Sequence, residues 1–166
     1  MLEGGTALLK YNIVVHDCFV SYFKIDGIIH ALCNAHIVRD LAGIYIYYKQ
    51  KWSIDMIILL IDIYNKKKEL MEKGITKFDQ ATIDEFKSKF LKLAQQGIDE
   101  NPLPDDQKDR KRPKRSKPLR VASRLMEYID YFLAFAENFD IPFSNNIAER
   151  TIRGAKIKIK NSGYLE

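Results

Sequence analysis

A chain of 166 residues, 46% of them hydrophobic, is long enough to bury one core and sits near the usual size of a single domain. Its 27 basic and 22 acidic residues leave a formal charge of +5, which favours a polyanionic partner without the large surplus of a dedicated DNA binder. Two cysteines, Cys18 and Cys33, exclude a disulfide-rich scaffold, and the most apolar run, "IDMIILLIDIY", is too short and too acidic to span a bilayer. With no charged-then-apolar leader after Met1, a reducing cytoplasm is the expected location.

In chain order, "YNIVVHD" over residues 11–17 is a nearly unbroken β-branched run, as in a strand buried on both faces of a parallel or mixed sheet. "IIHALCNA" is a second, weaker strand candidate. From residue 36 to 48 the spacing of Ile37, Leu41, Ile44 and Tyr48 turns helical. A helix over 52–73 places Met56, Leu59 or Leu60, and Ile63 on one face before Gly74 stops it. Another over 79–96 carries Ile83, Phe86, Phe90 and Leu93 at three- and four-residue steps. "NPLPDDQKDRKRPKRSKPLR", residues 101–120, is rich in proline and cations and lacks an apolar period, which predicts a mobile, solvated linker. A stripe of Val121, Leu125, Tyr128, Ile129, Phe132, Phe135 and Phe139 then predicts one helix ending before Pro142.

Three groups of residues bear on chemistry. A helix starting at Asn145 or Asn146 would set Asn146, Glu149, Arg153 and Lys156 on one face and Ala148, Ile152 and Ala155 on the core side. Glu149 then reads either as a carboxylate among amides and guanidinium groups, or as part of a capping box with an ordinary Glu149–Arg153 pair. Asp17 closes the first strand, where α/β sheets bind ligands at strand carboxyl ends, although aspartate there also serves as a turn residue. Cys33-x-x-His36 is half of a zinc site. His16 and Cys18 stand one residue apart instead of two to four, so a half-buried Cys with a bonded His, or a positioning role beside a pocket, fits better.

Taken together, "VVHDCFVSYFKIDGIIHALCNAHIVRDLAGI", "QKWSIDMIILL" and "SRLMEYIDYFLAFAENFDIPFSNNIAERTIRGAKIKIKNSGYLE" resemble, in order and spacing, the core of IS66-family insertion-sequence transposases. The likeness runs from Tyr11 to the last residue, with 66–119 matching in character only. It implies an α/β, ribonuclease-H-like fold, here incomplete with one or two strands retained, and a large helical insertion between the second and third acids of a DDE site. Most residues would be helical. Residues 11–36 would hold the sheet remnant, 37–118 the insertion and basic linker, and 119–166 the C-terminal helices.

On that resemblance Asp17 matches the second aspartate and Glu149 the glutamate, both catalytic and both metal ligands. Cys33 and His36 match a C-x-x-H signature that supports the core. The expected cofactor is Mg²⁺ or Mn²⁺ as a two-metal site; hard divalent cations take oxygen ligands, which suits Asp and Glu. The expected partner is DNA at transposon ends. Asn146, Arg150, Arg153, Lys156, Lys158 and Lys160 would contact phosphates, with affinity that falls as salt rises. The alternation in "KIKIK" fits an edge strand guarded by lysines equally well.

The family pattern places a further aspartate on a strand well ahead of Asp17, whereas the only acid before Asp17 here is Glu3. The expectation is a fragment of a DDE transposase, inactive alone, whose partners include intact transposase, a missing N-terminal segment or a second copy of itself. A basic DNA-binding remnant that interferes with intact transposase, or a pseudogene product without a role, is the alternative.

Overall fold

The structure is a computed structural model that describes residues 13–16 and 27–144. Two strands, β1 (Ile13–His16) and β2 (Ile29–Leu32), pair in parallel with Ile13 opposite Ile29 and His16 opposite Leu32. A parallel pair needs a crossover of about a dozen residues, and the interval between the strands has that length. Among the described residues six helices follow: α1 (Asn34–Tyr48), α2 (Lys51–Glu72), α3 (Gln80–Asp99), the single turn α4 (Asp105–Lys108), α5 (Lys117–Glu127) and α6 (Ile129–Glu137). The described part is thus mostly helical with a small parallel sheet, the coarse class expected. β1 is less enclosed than its sequence predicts: Ile13 and His16 are buried while Val14 and Val15 are half-buried.

The helix periods place the core as expected. Ile37, Leu41 and Ile44 of α1, Met56, Leu60 and Ile63 of α2, and Ile83, Phe86 and Phe90 of α3 are all buried in one cluster that also takes in Ile13 and Leu32 of the sheet. Tyr48 does not join it and lies 48% exposed. Gly74 does stop α2, because it adopts φ +75°, a left-handed conformation that only glycine enters without cost. The Gly74 N–H then donates to the Met71 carbonyl at 3.0 Å and the Ile75 N–H to that of Leu70 at 2.9 Å, the paired bonds of a Schellman end.

Two expectations need correction. The stripe over 121–139 is not one helix: α5 and α6 part at Tyr128, whose backbone leaves the helical region at φ −115° and ψ 27°. Their faces explain the break. Both halves pack on α3, but Val121 and Leu125 of α5 are buried where that helix also meets α1, while α6 also packs on β2, so a straight rod would strip one of these two partners. Phe139 is buried, but beyond α6, in a turn closed by Ile141 N–H to Asn138 O at 3.1 Å. Second, 101–120 is not a featureless linker. It contains α4, and α5 already begins at Lys117, with the Ser116 hydroxyl capping Leu119 N–H and Pro118 in the first turn, where its missing N–H costs nothing.

Helices approach closely at Gly97. A Cβ there would sit 2.8 Å from Trp52 Cε2 and 2.9 Å from Ala122 Cβ, so glycine lets α3 touch α2 and α5 at one point. A polar clamp closes over it. The Trp52 indole donates to Gln50 Oε1 at 2.8 Å, and Asn101 Nδ2 donates to the same oxygen at 2.9 Å and to the Gly97 carbonyl at 2.8 Å. Among the described residues no helix is long and apolar enough to cross a membrane.

Candidate functional site

The end of β1, the start of α1 and the segment after α6 meet at one junction. Cys33 follows β2 directly, and its N–H donates to the carbonyl of His16, the last residue of β1, at 2.8 Å. The next N–H, that of Asn34, donates to the Phe143 carbonyl at 3.1 Å. Two successive amides therefore hold the residue before Asp17 and a residue just ahead of Asn145. Asn34 reinforces the junction: it is buried, and its side-chain amide donates to the Phe132 carbonyl of α6 at 3.1 Å. Asn34 Oδ1 and Ser144 Oγ, both buried, have no hydrogen-bond partner among the described residues.

Imidazoles line the sheet side of this junction. Buried His16 and half-buried His30 share a hydrogen bond, Nε2 to Nδ1 at 3.1 Å, which requires one ring to donate and the other to accept. They are neighbours because Val14 pairs with His30 and His16 with Leu32, so both side chains fall on one face. The Tyr131 ring of α6 stands edge-on to His30 at 6.3 Å between centroids.

Among the expected site residues, Cys33 and His36 lie in the described part. Cys33 is a buried free thiol at the strand-to-helix junction, more enclosed than the half-buried position expected of it. His36 is exposed one turn along α1 and its backbone N–H returns to the Cys33 carbonyl at 3.2 Å. The two side chains thus diverge in environment. Among the described residues no three of His, Cys, Asp and Glu gather as a metal site. Asp17, Glu149, Asn146, Arg150, Arg153, Lys156, Lys158 and Lys160 lie outside the described residues.

Sequence reasoning missed His30, Asn34 and Lys67. Asn34 carried a readable signal, a lone amide inside the apolar run "HALCNAHI". Lys67 did not, because it sits among charged neighbours in "NKKKEL". Its ammonium is buried, donates to the Ile141 carbonyl at 2.6 Å, and lies 5.4 Å from the centre of the Phe139 ring. Burial pulls its pKa down to about 8, against an opposing pull from the Asp140 carboxylate. Lys67 thereby ties α2 to the segment that leads toward Asn145.

An α-dominant mixed domain, with a parallel strand pair feeding a helix at a tied junction, is the class these features define. A sequence model of the transposase IS66 family matches residues 2–166. The chain belongs to that family. No curated protein and no solved structure gives a match.

Proposed function

We propose that this chain supplies Asp17 and Glu149 to a DDE site that cleaves and joins DNA strands at transposon ends, within a ribonuclease-H-like fold interrupted by a helical insertion. Family membership supports the reaction class. The observation that carries the site is the paired tie at Cys33 and Asn34, which brings the residue before Asp17 and the approach to Glu149 onto neighbouring amides. Glu149 lies five positions after Ser144, a reach of at most about 17 Å even fully extended. The chain length therefore allows both acids to arrive at one place.

The donor chemistry fits a hard divalent cation: two carboxylates offer oxygen ligands, while the soft thiol of Cys33 is buried. Asp17 and Glu149 would hold Mg²⁺ or Mn²⁺. When bound, such a pair of ions activates the attacking hydroxyl and steadies the leaving oxygen. The role of Asp17 and Glu149 would be to fix where those ions sit, and Asn146, Arg150, Arg153, Lys156, Lys158 and Lys160 would hold the phosphates that flank the scissile one. His16 and Asn34 would act as positioning residues, fixing the backbone from which Asp17 departs.

These residues contribute two of the three acids of such a site, so cleavage requires a third carboxylate supplied by another segment or polypeptide. The test is metal-dependent nicking of DNA bearing the element's ends, by the chain alone and by the chain joined behind the upstream strand of an intact family member. Nicking is expected only from the joined protein. Asp17→Asn or Glu149→Gln should each lower its rate by on the order of a hundredfold or more. Nicking that survives both substitutions overturns the assignment. Salt-sensitive DNA binding with no nicking in either form supports the second reading, a basic DNA-associating protein that interferes with intact transposase, for which the net charge of +5 speaks.

A further inference from the structure

Charge is unevenly distributed in this chain. Residues 105–120 hold eight Lys or Arg against three Asp, a surplus of five that equals the charge of the whole molecule, so the remaining residues balance at nineteen of each sign. The acids of this segment, Asp105, Asp106 and Asp109, all precede its densest cations, and from Arg110 to Arg120 there is no carboxylate at all. Arg110, Lys111, Arg112, Lys114 and Arg115 are exposed, and among the described residues none of them makes an ion pair.

A charge run is more often a solvated tether than a surface. Here the backbone is shaped. The Gln107 side-chain oxygen accepts the Lys114 N–H at 3.1 Å, while Arg110 N–H donates to the Gln107 carbonyl at 3.2 Å, so the chain doubles back and carries Lys111 and Arg112 at its tip. Ser116 then caps α5, and Lys117 is anchored on α1, where its ammonium lies 3.4 Å from Asp40. The helix dipole does not select these cations. Lys117 and Arg120 stand in the first turn of α5, where they oppose the positive end of the helix dipole.

Anchorage on α1 also fixes where the loop sits. Gly43, which Lys117 overlies, is about 14 Å along α1 from Asn34, the length of about four base pairs of duplex. We propose that residues 108–117 form a docking surface for the sugar-phosphate backbone of duplex DNA, gripping the flank of the substrate beside the catalytic junction. The identity of the polyanion rests on the DNA-processing reading above; the surface itself does not.

The test measures binding of a 30-base-pair duplex of arbitrary sequence by fluorescence anisotropy across a salt series. The loop variant is Arg110→Ser, Lys111→Ser, Arg112→Ser; the charge-matched control is Lys73→Ser, Lys77→Ser, Lys92→Ser, three exposed lysines of which two lie in the connection after α2 and one on α3. Removing three phosphate contacts should flatten the slope of log affinity against log salt by about 2 to 3. The loop variant should weaken binding at least tenfold at moderate salt and keep the wild-type melting temperature, and the control should bind within threefold of wild type. Equal losses in both variants, or none in the loop variant, overturn the proposal. So does competition by polyaspartate or single-stranded RNA that exceeds that of duplex DNA at equal charge. Asp17→Asn should leave this binding intact, so a failed catalytic assignment and a failed docking surface give different results.

Discussion

At the residue scale, Lys67 gives the clearest pH signature. Its pKa in the folded state is about 8 against 10.5 for an unperturbed lysine, so between those values the unfolded chain binds more protons than the folded one. Stability therefore rises with pH across that window, by at most about 1.4 kcal/mol per unit. The neutral amine still donates to the Ile141 carbonyl, so the contact survives deprotonation. Urea unfolding at pH 7.5 and 9.5 should show this gain in the wild type and lose it in Lys67→Met; an equal slope in both proteins refutes the attribution. Gly97 gives the clearest packing signature. Gly97→Ala drives a methyl group against Trp52 and Ala122 and should cost about 1–3 kcal/mol in spite of alanine's better helix propensity. Thermal melts that show stabilisation would refute it.

At the element scale, Asn34 joins three pieces of chain through its backbone and side chain: α1, α6 and the segment around Phe143. Asn34→Ala removes the donor to the Phe132 carbonyl in a buried site and should cost about 1–3 kcal/mol. Hydrogen exchange at the backbone amides of residues 33 and 34, which donate to the His16 and Phe143 carbonyls, should rise with it. Exchange unchanged at both would show that the junction holds without this side chain. The same element level shows what a sequence can and cannot yield. Periods of three and four residues placed α1, α2 and α3 and most of their buried faces, because each helix packs one stripe against a common core. The break at Tyr128 was illegible, since the stripe continues in sequence and both halves pack on α3, while only the first also meets α1 and the second also packs on β2. The start of α5 was obscured by Pro118, which reads as a breaker in the interior of a helix and is compatible in its first turn. Within the candidate site, Cys33 and His36 were legible as a motif, but their opposite exposure was not, because it depends on how α1 meets the sheet.

At the scale of the whole molecule, sheet and helices share one buried cluster, from Ile13 through Leu32 to Phe143, so the strand pair is not an appendage to a helical bundle. The chain belongs to the IS66 transposase family, and its described body holds the approaches to Asp17 and Glu149 at one place. Catalysis and DNA grip separate in expectation. Changes at the two acids should abolish nicking and spare binding, whereas changes at Arg110, Lys111 and Arg112 should alter the salt dependence of binding and spare the fold.

Helix α1 gives this layout a mechanical meaning. It is a single stretch of 15 residues, about 22 Å long, clasped at one end by the hydrogen bond from Asn34 N–H to the Phe143 carbonyl and at its flank by Asp40, which receives both Lys117 and Arg124. A stiff rod fastened at both places behaves as a lever arm. On the docking proposal, load on residues 108–117 would pass along this one continuous helix to the Cys33–Asn34 junction at its far end.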